Sequence, residues 1–167
     1  MQKIMVVSDT HRHHENLKKA IKLEGPIDML IHLGDAEGEE DYIRELADCE
    51  VIMIAGNNDY FSNLRREITI KIGKYNVLLT HGHYYYVSVG LDFIKEEAIG
   101  RRMDIVMFGH THRPIIEIYK EVTLINPGSI SYPRQNDKKP TYIIMDIDDD
   151  ENINYTLKHV NIGSTLF

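Results

Sequence analysis

"KIMVVSD", residues 3–9, is a short apolar, β-rich run that breaks off at an aspartate, and "HENLKKAIKLEG" follows it with Leu17, Ala20 and Ile21 at helical spacing before Gly25 and Pro26. The pattern then repeats. "DMLIHLGD" is a second strand signal, and "EEDYIRELAD" sets Tyr42, Ile43, Leu46 and Ala47 on one helical stripe. "EVIMIAGN" is a third strand signal. Residues 1–60 therefore predict a βαβαβ unit whose parallel strands are buried on both faces.

After Tyr60 the rhythm changes. "EITIKIG" alternates and "YNVLLTH" follows Gly73 and Lys74, as in an antiparallel hairpin. "VGLDFIKEEAIGRR" predicts a helix through Leu91, Ile94 and Ala98, and five further runs, "DIVMFGH" to "INYTLKHV", are mostly strands joined by short turns. No repeat or compositional break marks a linker. The fold expected is α/β: one domain over residues 1–167, with a two-sheet β-sandwich core and helices outside.

Composition narrows the function. The chain has 167 residues, 43% hydrophobic and 27% charged, as in ordinary globular domains. Its net charge of -7 counts against a broad grip on extended nucleic acid or anionic lipid and favours small substrates. No run reaches membrane-spanning length, no signal peptide is visible, and the one cysteine, Cys49, cannot form an internal disulfide. A cytoplasmic protein without membrane attachment is expected, with Cys49 as a buried packing residue.

The chemistry gathers where the apolar runs end. Five of them stop at residues able to ligate metal: "SDTH" with Asp9 and His11, "LGD" with Asp35, "AGNND" with Asn57, "LTHGH" with His81 and "FGHTH" with His110 and His112. Alone, Asp9 reads as a helix cap and Asn57 as a turn residue. Open α/β sheets, however, carry their sites at the carboxyl ends of strands, so five such endings in one chain point to a single centre. The nitrogen and oxygen donors, with no thiolate, argue against an iron-sulfur or soft-metal site.

The order Asp-x-His, Gly-Asp, Gly-Asn-x-Asp, His-Gly-His, Gly-His-x-His resembles the calcineurin-like metallophosphoesterases. "NPGS" (126–129) with "YPR" (132–134) resembles their small YfcE-type phosphodiesterase branch. The resemblance implies a four-layer αββα fold and two divalent ions, manganese first, with iron, zinc, nickel or cobalt as alternatives. Asp9, His11 and His112 would hold one ion, Asn57, His81 and His110 the other, with Asp35 between them. It implies hydrolysis of small phosphodiesters by a metal-bridging hydroxide. Two divalent ions against two aspartates leave a net charge of about +2, which attracts a phosphate ester.

Many relatives have histidine where this chain has Asn58. An amide is no general acid near neutral pH but can donate a hydrogen bond, so Asn58 is assigned to catalysis and substrate binding, with a preference for acidic leaving groups. His83 and Arg12 are candidate substrate contacts, and Asp59 is a candidate orienter of the Asn57–Asn58 loop. Arg134 approaches the site if the "NPGS" turn packs there. Tyr84, Tyr85 and Tyr86 read equally as a stacking wall or as interface tyrosines, and a homodimer is open. "DIDDDENIN" lacks the glycine and distal glutamate of a calcium loop and reads as a hairpin turn. The alternatives are a phosphomonoesterase or nuclease with the same site, or a non-catalytic scaffold like the retromer subunit of the same fold.

Overall fold

The computed structural model describes residues 1–160; the final part of the domain expected over residues 1–167 lies outside the described residues. Two five-stranded sheets form its centre. In the first sheet β1 (Gln2–Val7), β2 (Met29–His32) and β3 (Glu50–Met53) run parallel, linked through α1 (Glu15–Glu24) and α2 (Glu40–Ala47). Antiparallel β9 (Thr141–Ile147) and β10 (Ile153–His159) complete the order β10-β9-β1-β2-β3.

The second sheet starts with the expected hairpin, β4 (Glu67–Ile72) and β5 (Tyr75–Thr80). A 3-10 turn (His83–Tyr85) and α3 (Asp92–Gly100) then lead to β6 (Ile105–Met107), β7 (Pro114–Ile118) and β8 (Thr123–Pro127). β8 inserts between β6 and β7, parallel to the first and antiparallel to the second. Short turns alone do not reveal that insertion.

Strand alternation builds the layers. Ile4 and Val6 of β1 meet Val77 and Leu79 of β5 in the core between the sheets. Met5 and Val7 point the other way, onto Leu17, Ala20, Ile43 and Ala47 of α1 and α2. On the far side Leu78, Val106 and Leu124 receive Ile94 and Ala98 of α3. The result is the four-layer αββα arrangement expected from the sequence.

Three local expectations are corrected. β3 is an edge strand, so its faces are not both covered: Glu50 is exposed, and Val51 and Ile52 are half-buried. Tyr42 lies outside the buried stripe of α2, at 42% exposure, beside the His14 ring. Cys49 is half-buried at the sheet edge. Asp148, by contrast, caps the β9–β10 turn as a hairpin residue, accepting from the backbone N–H groups of Asp150 and Asn152.

Candidate metal centre

The strand ends converge. From the loops after β1, β2, β5 and β6, ligand atoms of Asp9, His11 and His112 lie within 4.8 Å of one another, as do those of Asp9, Asp35 and His81. Asp9 Oδ1 is 3.2 Å from His112 Nε2 and 3.7 Å from the Nε2 atoms of His11 and His81. Asp35 Oδ2 is 3.4 Å from His81 Nε2 and 3.7 Å from His11 Nε2. Asn57 Oδ1 lies 3.0 Å from His110 Nδ1, and the His81 and His110 ring centroids are 5.2 Å apart. All seven residues singled out in the sequence thus form one contiguous group.

Backbone conformation explains how loops this tight converge. Asp9, His11, Asp35, His110 and His112 all have left-handed φ, between 45° and 69°. Such residues cost on the order of 1–3 kcal/mol each and persist only where the surroundings over-determine them. Gly34, at φ 103°, gives the close approach: a Cβ there would lie 2.6 Å from Gly56 N and 2.7 Å from His81 Nδ1.

The surroundings are hydrogen bonds from a second set of residues. Asp59 Oδ2 accepts from the N–H groups of Asp35 and Gly56, each at 2.7 Å, and its Oδ1 accepts from Glu37 N–H at 2.6 Å. Ser129 Oγ donates to the Asp9 carbonyl at 2.8 Å and accepts from Tyr132 N–H at 2.7 Å. Asn126 Nδ2 donates to the Gly109 carbonyl at 2.9 Å. The "NPGS" turn therefore packs on the site. Asp59 was anticipated as an orienter; the partners of Asn126 and Ser129 carried no local signal.

Ring orientation follows the same pattern. His81 Nδ1 meets the Leu33 carbonyl and His112 Nδ1 the Tyr132 carbonyl, each at 2.6 Å, so each Nδ1–H donates outward and each Nε2 is turned to the centre. Asp9 Oδ2 accepts from Ser8 Oγ and His110 N–H, whereas buried Asp9 Oδ1 and His81 Nε2 have no hydrogen-bond partner. Burial pushes the Asp9 carboxyl upward, but His81, His11 and His112 hold it well below the usual carboxylate range. Burial opposes charge on His81 as well, yet Asp9 and Asp35 lift it to about 9. The pocket stabilises positive charge, and a donor set of carboxylates, imidazoles and one amide oxygen with two orphaned buried atoms fits divalent metal ions.

The substrate-side candidates divide. Asn58 donates to both oxygens of Asp35, from N–H at 2.9 Å and Nδ2 at 2.8 Å, so its amide sits on a proposed ligand. The His83 ring is half-buried, 5.5 Å from His81 and 6.0 Å from His110, and burial together with His81 lowers its pKa to about 4. Arg12 donates to the Glu37 carbonyl at 3.0 Å and lines a neighbouring cavity with Asn58. Of the three tyrosines, Tyr84 and Tyr86 are exposed, whereas Tyr85 donates to Glu67, which also pairs with Arg101 at 2.5 Å.

Comparison with known proteins agrees with this geometry. Residues 2–150 match the calcineurin-like phosphoesterase superfamily domain. The chain belongs to that family. It is 30% identical over 148 residues to the probable metallophosphoesterase YsnB of Bacillus subtilis, covering 88% of this chain and 85% of that one. Phosphodiesterase MJ0936 of Methanocaldococcus jannaschii is 32% identical over 145 residues, covering 75% of this chain and 82% of the relative. Among solved structures, wild-type Vps29 of Entamoeba histolytica complexed with zinc shares the fold at TM-score 0.73 and 20% identity, over 96% of this chain and all of that one. Among the described residues, no helix of this phosphoesterase-family chain is long and apolar enough to cross a membrane.

Proposed function

We propose that the chain is a two-metal phosphodiesterase of small phosphodiesters with acidic leaving groups. The observation that carries the reading is the clustering of Asp9, His11, Asp35, His81 and His112, flanked by His110 and Asn57, with two buried, unpartnered atoms, Asp9 Oδ1 and His81 Nε2. Asp9, His11 and His112 would hold one ion and Asn57, His81 and His110 the other, with Asp35 shared. Two divalent cations, manganese first among manganese, iron, zinc, nickel and cobalt, would supply Lewis acidity and an activated water at neutral pH.

The chain supplies the rest. Asp9 and Asp35 neutralise part of the cationic charge and leave the site attractive to an ester monoanion. Carbonyl-anchored His81 and His112 keep their lone pairs aimed at the centre without rotational cost. His83, held neutral beside His110, is positioned to donate a hydrogen bond to substrate. Asn58 cannot protonate a leaving group, and donation to a phosphate oxygen requires its amide to leave Asp35. Rates across diesters should therefore fall steeply as leaving-group pKa rises; a flat dependence contradicts this role. The net charge of -7 favours small esters over extended nucleic acid, and a cytoplasmic setting keeps Cys49 reduced.

The test compares chelator-stripped protein with manganese-reloaded protein on bis(para-nitrophenyl) phosphate and para-nitrophenyl phosphate. Turnover only after reloading, with the diester preferred, is expected. A monoester preference points to the phosphomonoesterase alternative, and no turnover of either ester points to a scaffold of the Vps29 kind.

A further inference from the structure

A cavity of about 380 Å³ lies beside the proposed centre, on the α3 side of the second sheet. Leu91, Phe108 and Ile115 give it apolar walls, and Thr111, between His110 and His112, lines it too. Arg113 and Arg134 also line it. Arg134 additionally lines the hollow containing His11 and His112, so one side chain borders both spaces. Its backbone is pinned there: Arg134 N–H donates to the His112 carbonyl at 3.0 Å, two residues after the Tyr132 carbonyl meets His112 Nδ1.

The charges are uncommitted. Among the described residues neither guanidinium makes an ion pair or a side-chain hydrogen bond; Arg113 and Arg134 are bound only through their backbones. Asp137 shares a shallow hollow with Arg113, but its carboxylate accepts from Lys139 N–H at 3.0 Å and lies 3.7 Å from His159. Both arginines are exposed and hydrated, and two guanidiniums without a protein partner at the rim of an apolar-walled cavity are well suited to receive a carboxylate or phosphate.

We infer that Arg113 and Arg134 form a specificity subsite for a second anionic group, carboxylate or phosphate, on an apolar organic arm of the phosphodiester. The inference rests on the phosphodiesterase reading and names its substrate class: a small diester with one anion at the scissile phosphorus and another beyond a short carbon spacer. The arm lies along Leu91, Phe108 and Ile115 while the guanidiniums receive its distal charge.

The experiment uses the full chain and two matched esters, para-nitrophenyl hexyl phosphate and para-nitrophenyl carboxypentyl phosphate. They share a leaving group and differ in the distal charge. With manganese-loaded protein, kcat/KM for the carboxylate should be higher by about tenfold or more, carried by KM, as expected for charge-assisted contacts. The ratio should fall to near one in the Arg113→Ala/Arg134→Ala double variant and in the length-preserving Arg113→Gln/Arg134→Gln pair. Calorimetric titration with phosphonohexanoate against hexylphosphonate reads the subsite without turnover and should show the same preference and the same loss. Equal binding of the two phosphonates, or a preference that survives both double variants, overturns the subsite. Failure to cleave either ester overturns the phosphodiesterase reading instead, while the phosphonate comparison still decides on the arginines.

Discussion

At the scale of single residues, Asp59 and His32 hold the site without facing it. Asp59 satisfies three backbone N–H groups from two loops, so Asp59→Asn removes a charged acceptor and turns one oxygen into a donor against donors. The expected cost is about 2–3 kcal/mol of stability and a 10–100-fold loss of manganese affinity, read by urea unfolding and calorimetry. Unchanged affinity would show that the loops hold themselves. His32 is fully buried; its Nδ1 accepts from Gly34 N–H and its Nε2–H donates to Thr10 Oγ1. Burial lowers its pKa to about 4, against weaker opposing pull from Asp59 and Asp9. Below about pH 6.5 the unfolded chain therefore binds a proton that folded His32 refuses. Stability is full above that pH and drains by about 3 kcal/mol as pH falls toward 4. His32→Gln, unfolded in chelator at pH 7 and pH 4.5, should show a shallower loss than the parent; equal losses would contradict the assignment.

At the scale of elements, the strand ends were legible and the turns after them were not. Unbroken apolar runs in "KIMVVSD" and "YNVLLTH" marked strands covered on both faces, as Ile4 and Val6 against Met5 and Val7 show, and each run's abrupt polar ending marked where chemistry begins. The left-handed φ of Asp9, His11, Asp35, His110 and His112 left no trace, because aspartate and histidine tolerate that region without a glycine signal. The place of β8 between β6 and β7 left no local signal, because it depends on long-range pairing. Tyr85, Glu67 and Arg101 form a clamp between the His83–Tyr85 turn, β4 and the end of α3. Tyr85→Phe should cost about 1 kcal/mol in thermal unfolding, since the cluster is half-exposed, and should loosen the turn that carries His83. Amide exchange at residues 83–86 checks the second effect; unchanged protection would refute it.

At the scale of the whole molecule, two sheets and two outer helix layers bring into one cluster side chains spread from Asp9 to His112. Ligand binding to such a native-only site stabilises the fold by mass action. At a free manganese concentration 100 times Kd, each ion adds about 2.7 kcal/mol, and the melting temperature of a chain this size should rise by roughly 5–10 °C per ion. Asp35→Ala should abolish most of that rise while leaving the metal-free fold intact. The most direct measurement is the number of divalent ions held per chain, obtained by dialysing chelator-stripped protein against manganese and assaying metal and protein together. The account predicts two per chain for the parent, with clear losses for Asp9→Asn and His81→Asn; no saturable uptake, or uptake indifferent to both substitutions, would contradict it.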